Sequence, residues 1–554
     1  MISGRIMKKL IVAILVSFTL FGLAGCNSNV LNVNPKNAYS GQNVWSNINL
    51  AKSFVNQQYQ VLPVMEGVWS RGTGMNWASV SADCYIRFNY NNASVIRKGQ
   101  VAPDNESGFA DIGTWNRFWN TIRHCNVFFK NINGIKGENA LKKRLTGEIH
   151  FLRAWSYFEL IKRYGGVPII TKVFKLGGNY SEKRSTYDQC TKFIVADLDS
   201  AASDLPVSYS SKNWGRATKG AALGLKARVL LFDASALNNP NNDMAKWQKA
   251  ADAAKAVIDM GTYQLYQGKN YSDIFLKNHT SGIIFARPHN SDPNYNNIGI
   301  HMQTIEAPNG YHGWTTHSPS QNLVNAFPMK NGKSITDPTS GYDPSHPYQN
   351  RGPRFYADIL HNNEMFYGRK TEFYQGGKDS PQGIDAWNAS LTGYATMKFF
   401  DQSISLSSGT FSTTEYPLIR LPEMYLNYAE AEYHLGNESV ARQYVNKLRE
   451  RPSLNLPDLP STLTGSDLLA AIRNERRLDL CFEGHHYFDL LRWKLAMTKL
   501  NGSLNGVVIT KNSNGTFSYK YKQVVSLTFK KKMYRFPLPL KTMQKTDLKQ
   551  NPGY

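Results

Sequence analysis

Apolar residues recur at helical spacing in two separated parts of this 554-residue chain, and that pattern limits its fold most strongly. In the first part, Leu145, Ile149 and Leu152 share one face of a helix predicted over about 138–164, which ends at Gly165-Gly166. The other predicted helices cover 187–202, 218–237, 244–261, 418–435, 438–449 and 466–495. The sequence therefore predicts two groups of helices joined by short turns.

The stretch between the two groups, residues 265–415, is rich in Asn, Gly, Pro, Tyr, His and Ser and has little helical period. Residues 60–120 have a similar character, and loop-rich stretches of this length are usually functional. Asn514-Gly515 between alternating segments predicts a β-hairpin. The predicted fold is mainly α: a tetratricopeptide-like helical scaffold with long irregular loops and a few short β-hairpins, although no strict 34-residue repeat is present.

The first 26 residues have the pattern of an export signal. A short basic region precedes an apolar run over 10–23, which is short for a membrane span and typical of a signal-peptide core. Leu23-Ala24-Gly25-Cys26 then matches the lipobox of bacterial lipoproteins. We therefore expect a signal peptide over 1–25, lipid on Cys26 and a polar tether over 26–40.

Composition limits the remaining classes of function. Without the three basic residues of the leader, the chain has 61 Lys and Arg and 41 Asp and Glu, which gives a net charge of +20. Such a charge favours acidic partners, but an exported lipoprotein rarely meets nucleic acid, so no nucleic-acid partner is predicted. Four further cysteines show no metal-ligand or disulfide spacing, and we expect no metal and no cofactor.

Seven stretches in order along the chain form a family pattern beyond the lipobox: 152–168, 217–229, 318–327, 350–356, 420–431, 474–493 and 550–554. They include Gly165-Gly166-Val167-Pro168 after the first long helix, and Arg420-Leu421-Pro422-Glu423 in the second group. In these stretches the sequence resembles the SusD/RagB family of outer-membrane lipoproteins that bind nutrients, usually glycans, for a partner transporter. Gly352 and His486 depart from the family pattern, where Asp and Arg are common, and the residues after Cys26 lack the usual acids.

The resemblance implies an N-terminal SusD-like helical region over 41–264 and a C-terminal region over 265–554, with a ligand-binding insert at 265–415. It also implies a location at the outer membrane, lipid-anchored and exposed on the cell surface. The implied partner is a SusC-like TonB-dependent transporter, for which this chain would capture oligosaccharides without being an enzyme.

The residues themselves offer little that would support catalysis. An acidic cluster around Glu475, Asp479 and Glu483 is interleaved with arginines, a pattern typical of structural ion pairs such as Arg476–Asp479 and Asp489–Arg492. The alternative of a hydrolase in the loops would use Asp292 and Glu306 as acid and base. A peptide-binding role is the other alternative.

A glycan site needs aromatic rings to pack against sugar faces and polar side chains to bond the hydroxyl rim. The two loop-rich regions supply both kinds of residue, and in the SusD/RagB family ligand contacts come from these regions. The predicted ligand-binding residues are Trp69, Asn76, Trp77, Tyr295, Asn296, Tyr311, His312 and Trp314.

Overall fold

The computed structural model describes residues 44–64, 77–88, 93–105, 115–175, 182–289, 302–406 and 412–554. The leader and Cys26 lie outside these ranges, as do several residues of the predicted sites. These are Trp69, Asn76, Asp292, Tyr295 and Asn296.

The described residues are mostly helical. The helices are α1 Ile48–Gln58, α2 Ala93–Arg97, α3 Trp115–Asn131, α4 Asn139–Tyr164, α5 Tyr187–Asp204, α6 Lys219–Ala234, α7 Met244–Ile258, α8 Asp273–Leu276, α9 Met302–Glu306, α10 Gln321–Val324, α11 Pro353–Asp358, α12 Leu421–His434, α13 Glu438–Arg449, α14 Gly465–Asp479, α15 His486–Arg492, α16 Ala496–Lys499 and α17 Leu540–Met543. The strands are β1 Cys84–Ile86, β2 Ile283–Arg287, β3 His317–Pro319, β4 Ile359–Leu360, β5 Met365–Phe366, β6 Arg369–Lys370, β7 Ala395–Thr396, β8 Tyr416–Arg420, β9 Gly502–Lys511 and β10 Phe517–Leu527.

Consecutive helices of the scaffold pack side by side: α4 on α5, α5 on α6, α6 on α7, α7 on α12 and α12 on α13. Local signals set their ends. Thr186 and Gln189 form a capping box at the start of α5, and Gly165, with a φ of 76°, ends α4. This succession of helix and turn confirms the tetratricopeptide-like prediction.

The two helical groups join through a shared interior. Arg228 of α6 donates two hydrogen bonds of 2.6 Å to the carboxylate of Glu423 on α12. The largest buried apolar cluster draws residues from Ile48 near the start to Leu548 near the end. Residues predicted as separate N- and C-terminal regions therefore share one core.

Two sequence predictions about the second helical group are wrong. The predicted helix over 466–495 is broken between Asp479 and His486, where Phe482 and Gly484 have φ values of 59° and 84°. Such values turn the chain out of a right-handed helix. The helix predicted from 418 begins at Leu421, because the residues before it form β8 and pair with β2.

The strands form two-stranded antiparallel pairs. The predicted hairpin at Asn514-Gly515 is confirmed as β9 and β10. β1 pairs with β3, so that Ile86 lies opposite His317. Asp83, just before β1, accepts hydrogen bonds from Arg477 at 2.6 Å and His486 at 2.5 Å. No helix in the described ranges is both long and apolar enough to span a membrane.

Candidate glycan-binding site

An aromatic platform formed by Phe88, Trp314 and Trp387 lies at the end of the β1–β3 pair. β1 and β3 run antiparallel, so Phe88, two residues after β1, comes beside Trp314, three residues before β3. The ring centroids of Phe88 and Trp314 are 6.2 Å apart with the planes at 63°. Strand pairing thus brings together residues from the two loop-rich regions.

Trp387 completes the platform from a third segment. Its ring lies 5.9 Å from that of Phe88, in an edge-to-face arrangement, and 59% of the residue is exposed. Arg87 fixes this position, because its Nη1 donates to the carbonyl oxygens of Ala386 at 3.1 Å and Ala389 at 3.0 Å. The guanidinium therefore ties the turn that carries Trp387 to the strand that carries Phe88.

Polar side chains surround the platform. Nδ1 of His312 and Oδ2 of Asp385 are 2.9 Å apart, and most of the His312 side chain is exposed. The buried Asn309 amide donates to the carbonyl oxygens of Ser380 at 3.2 Å and Ile384. Because Asp385 directly follows Ile384, this bond holds the rim in place. The exposed His312–Asp385 pair can donate to and accept from sugar hydroxyls.

Tyr311 supports the site from behind. Its hydroxyl donates to the carbonyl oxygen of Phe366 at 2.6 Å, and the Arg369 guanidinium lies 3.8 Å from its ring centroid. Arg369 is itself held by Asp379 through bonds of 2.7 and 2.8 Å. With one ring face covered by Arg369, Tyr311 positions the loop and offers little surface to a ligand.

Trp77 lies in the interior, so the ligand contact predicted for it is corrected to a packing role. It is 4% exposed, its ring stacks on Tyr487 at 5.4 Å, and it contacts Phe488 at 4.5 Å. Arg163 covers the ring at 5.0 Å. An indole enclosed in this way cannot stack on a sugar without unpacking α15.

The acidic cluster of α14 holds a buried ion network. Asp479 accepts from Arg354 at 3.2 Å, from Arg420 at 3.2 Å and from Arg451. Burial alone would raise the pKa of Asp479, but the three guanidiniums hold it well below its usual value. This network matches the structural interpretation of the cluster.

One predicted ion pair is replaced by another. Arg476 pairs with Asp489 at 2.9 Å instead of Asp479, whereas the predicted Asp489–Arg492 pair is present at 2.7 Å. Arg492 also binds Glu430 through bonds of 2.6 and 2.7 Å. Burial raises and Arg492 lowers the pKa of Glu430, with a net fall to about 2. These charges hold α12, α14 and α15 together.

Glu306, the base suggested for a hydrolase, is enclosed in the interior. Its carboxylate accepts from the backbone amide of His317 at 3.1 Å and lies 2.7 Å from Nδ1 of that histidine. Both residues are buried, so Glu306 fixes the start of β3 and has no open approach to a substrate. Within the described ranges, no three His, Cys, Asp or Glu side chains are grouped as a metal site would require.

The ligand-binding residues predicted from the sequence do not include Phe88, Trp387 or the rim residue Asp385. A usable signal was present for Trp387, since its neighbours Gly383, Asp385 and Asn388 have the same loop character that singled out Trp314. Phe88 could not have been found this way, because its role depends on the pairing of two distant strands.

Comparison with known proteins gives the family context. A model of the SusD family matches residues 272–554. A second model, described as starch-binding associating with outer membrane, matches residues 73–231.

Among relatives, SusD-like protein P38 of Formosa agariphila is 23% identical over 521 residues, covering 90% of this chain and 94% of that protein. The starch-binding protein SusD of Bacteroides thetaiotaomicron is 23% identical over 471 residues, covering 78% of this chain and 76% of that protein. The crystal structure of a SusD-like protein from Bacteroides fragilis matches with a TM-score of 0.77 and 30% identity, covering 92% of this chain and 98% of that one.

Proposed function

Because the chain belongs to the SusD family, we propose that it is a cell-surface lipoprotein that binds glycans and delivers oligosaccharides to a SusC-like TonB-dependent transporter, without catalysis. The lipid would be carried by Cys26. Membership supports the binding role, and the description of the N-terminal family model supports association with the outer membrane.

The aromatic platform, in which Trp387 is exposed and Phe88 and Trp314 are half-buried, is the observation that carries this proposal. A sugar ring offers a weakly polar face of C–H groups, which stacks on an indole, and a rim of hydroxyls, which needs donors and acceptors. Trp387 presents an open ring, and the His312–Asp385 pair provides the polar rim. The planes of Trp314 and Trp387 meet that of Phe88 at 63° and 71°, so the platform is not flat, which suits an oligosaccharide better than a flat planar ligand.

The name of the Bacteroides thetaiotaomicron relative, which describes starch binding, supports a glycan as the ligand. The carboxylates of Asp479, Glu430 and Glu306 are all held by buried partners, which supports binding without catalysis. The class of glycan that suits the platform is a chain of sugar rings with accessible C–H faces.

Affinity gel electrophoresis tests the site. Starch and a panel of neutral and acidic polysaccharides are cast into native gels, and Trp387→Ala and Trp314→Ala are compared with the unaltered chain. Covering one indole face removes on the order of 80 Å² of apolar surface from water, or about 2 kcal/mol. We therefore expect Trp387→Ala to weaken binding roughly thirty-fold.

Tyr521→Ala is a matched control, because Tyr521 is a large aromatic residue, 48% exposed, on β10 outside the platform, with its hydroxyl 3.3 Å from that of Tyr342. If Trp387→Ala and Trp314→Ala are retained as strongly as the control, the platform does not bind the glycan. Chromatography of the polysaccharide after incubation tests the absence of catalysis, and shortened products would contradict it.

Purification from outer membranes tests the partnership. A tagged form should co-purify with one TonB-dependent β-barrel in equal amounts. Metabolic labelling with a fatty acid tests the anchor. The label should enter the unaltered chain and be lost in Cys26→Ala, and equal labelling of both would refute lipid on Cys26.

A further inference from the structure

The positive charge of the chain is concentrated at its C-terminal end. Residues 494–554 contain eleven Lys, one Arg and one Asp, which gives +11 of the +20 expected for the mature chain. All eleven lysines are exposed except Lys532, which is half-buried. An excess of this size in 61 residues requires an explanation that a generally basic surface does not provide.

Four of these lysines lie together with Lys98, and we call Lys98, Lys499, Lys530, Lys531 and Lys532 the basic surface. The Cβ position of Gly99, next to Lys98, lies 3.5 Å from Cε of Lys530. Asn501 and Phe529 exchange hydrogen bonds of 2.9 and 3.0 Å, which brings α16 and Lys499 beside the same segment. Lys531 and Lys532 continue along the turn.

The lysines of the basic surface differ from those that are held in ion pairs elsewhere. Lys226, Lys246 and Lys398 each contact a carboxylate within 3 Å. None of the five lysines of the basic surface makes such a pair with any described residue. Nζ of Lys532 lies 4.3 Å from the ring centroid of Tyr554, but no carboxylate of a described residue neutralises any of the five charges, which therefore attract anions.

The kind of residue indicates the kind of partner. Arginine is preferred where a carboxylate or sulfate is recognised in a fixed geometry, because its planar fork binds two oxygens. Lysine is a hydrated point charge, which suits diffuse attraction to an extended anionic surface. The charged groups of the basic surface are all lysines. None of these lysines lines the cavities along α3 and along α5 to α7, so the basic surface is separate from both cavities.

The position of the predicted anchor fits such a surface. The described chain begins at Val44, and Trp45 packs on Phe128 at 6.1 Å. Phe128 and Trp115 lie towards opposite ends of α3, about 20 Å apart along the helix axis. Trp115 packs on Tyr164, which contacts Phe536 beside the basic surface. The residues from Cys26 to this start, fully extended, would span up to about 60 Å, so anchor and surface can reach one membrane.

From these observations we infer that the basic surface binds an anionic, phosphate-bearing lipid surface and serves as a second membrane contact beside the lipid on Cys26. One acyl anchor and a polybasic patch together hold a protein at a membrane more firmly than either does alone. The second contact would also limit how the body of the protein is oriented above the bilayer.

Vesicle co-sedimentation tests this contact. The chain starting at residue 27 is used, because every described element begins at or after Val44 and is therefore retained. It is mixed with vesicles of phosphatidylcholine alone or with phosphatidylglycerol, at low and high salt. We expect binding to the anionic vesicles only, with a loss at high salt.

Lys499→Gln/Lys530→Gln/Lys531→Gln should reduce the partition coefficient on the order of 100-fold, since each lysine near an anionic surface contributes about five-fold. A control removes the same charge elsewhere, at three exposed lysines without ion pairs: Lys192→Gln, Lys212→Gln and Lys249→Gln. Equal losses in both triple variants would overturn the inference. Failure to bind anionic vesicles, with retention by polygalacturonate through the same lysines, would overturn it in favour of an acidic glycan.

Discussion

Replacing Asp479 by Asn tests whether buried charges hold the second helical group in place. Asn keeps the size of Asp and removes the charge on which Arg354, Arg420 and Arg451 converge. Arg354 and Arg420 retain Glu475 and Glu483 as partners. Arg451 has no other carboxylate among the described residues and would be left as a buried, uncompensated charge.

The cost follows from this loss of compensation. Removing one partner of a buried ion pair lowers the free energy of unfolding by about 3–5 kcal/mol. Asp479→Asn should fall in that range, because one guanidinium loses its only carboxylate and two others lose a second one. Asp467→Asn, an exposed site in the first turn of the same helix, should change the free energy by less than about 1 kcal/mol.

Urea unfolding provides the measurement, followed by tryptophan fluorescence and by far-ultraviolet circular dichroism. Coincident curves justify a two-state fit. The double variant Asp479→Asn/Arg451→Met should regain part of the lost stability, because it removes the orphaned charge. If Asp479→Asn lowers the free energy of unfolding by less than about 1 kcal/mol, or if the double variant regains no stability, the reasoning is refuted.

Three further predictions follow from packing and burial. Gly166→Ala should unfold at markedly lower urea than the unaltered chain, since its Cβ would lie 2.0 Å from the carbonyl oxygen of Ser185; Gly134→Ala, with open space at its Cβ, is the control. Burial raises the pKa of Asp358 to about 7. The stability that this carboxyl contributes in its neutral form is therefore lost as pH rises from about 4 to 7. Asp358→Asn should therefore gain on wild type across that interval in urea titrations, and a constant difference would contradict this. The four described cysteines are buried with raised thiol pKa values, so maleimide should label the chain starting at residue 27 only in urea; labelling of that chain when folded would contradict their placement.

Local signals predicted the helical scaffold well because the ends of its helices are set by nearby residues. Glycines after α4 and the capping box of α5 act within one turn, so a sequence displays them directly. The break between α14 and α15 was missed because Gly484 is its only local sign, and one glycine is compatible with a continuous helix.

The site was harder to predict because distant contacts decide which aromatic rings stay exposed. Trp77 and Trp314 have similar neighbours in sequence, yet Trp77 is buried by Tyr487 and Phe488 of α15. Trp314 is placed by the pairing of β1 with β3, which joins segments more than 200 residues apart. No local pattern contains this information.

Arg477 and His486 bind Asp83 across separations of 394 and 403 positions, and this has a consequence for incomplete chains. Both partners of Asp83, and the residues of α15 that cover Trp77, lie near the C-terminal end of the sequence. In a chain that stops before α14, the segment from Asp83 to Phe88 would lack its ionic anchor and Trp77 would lack its cover. Such a chain would not assemble a stable platform, so the proposed glycan site depends on residues at both ends of the described structure.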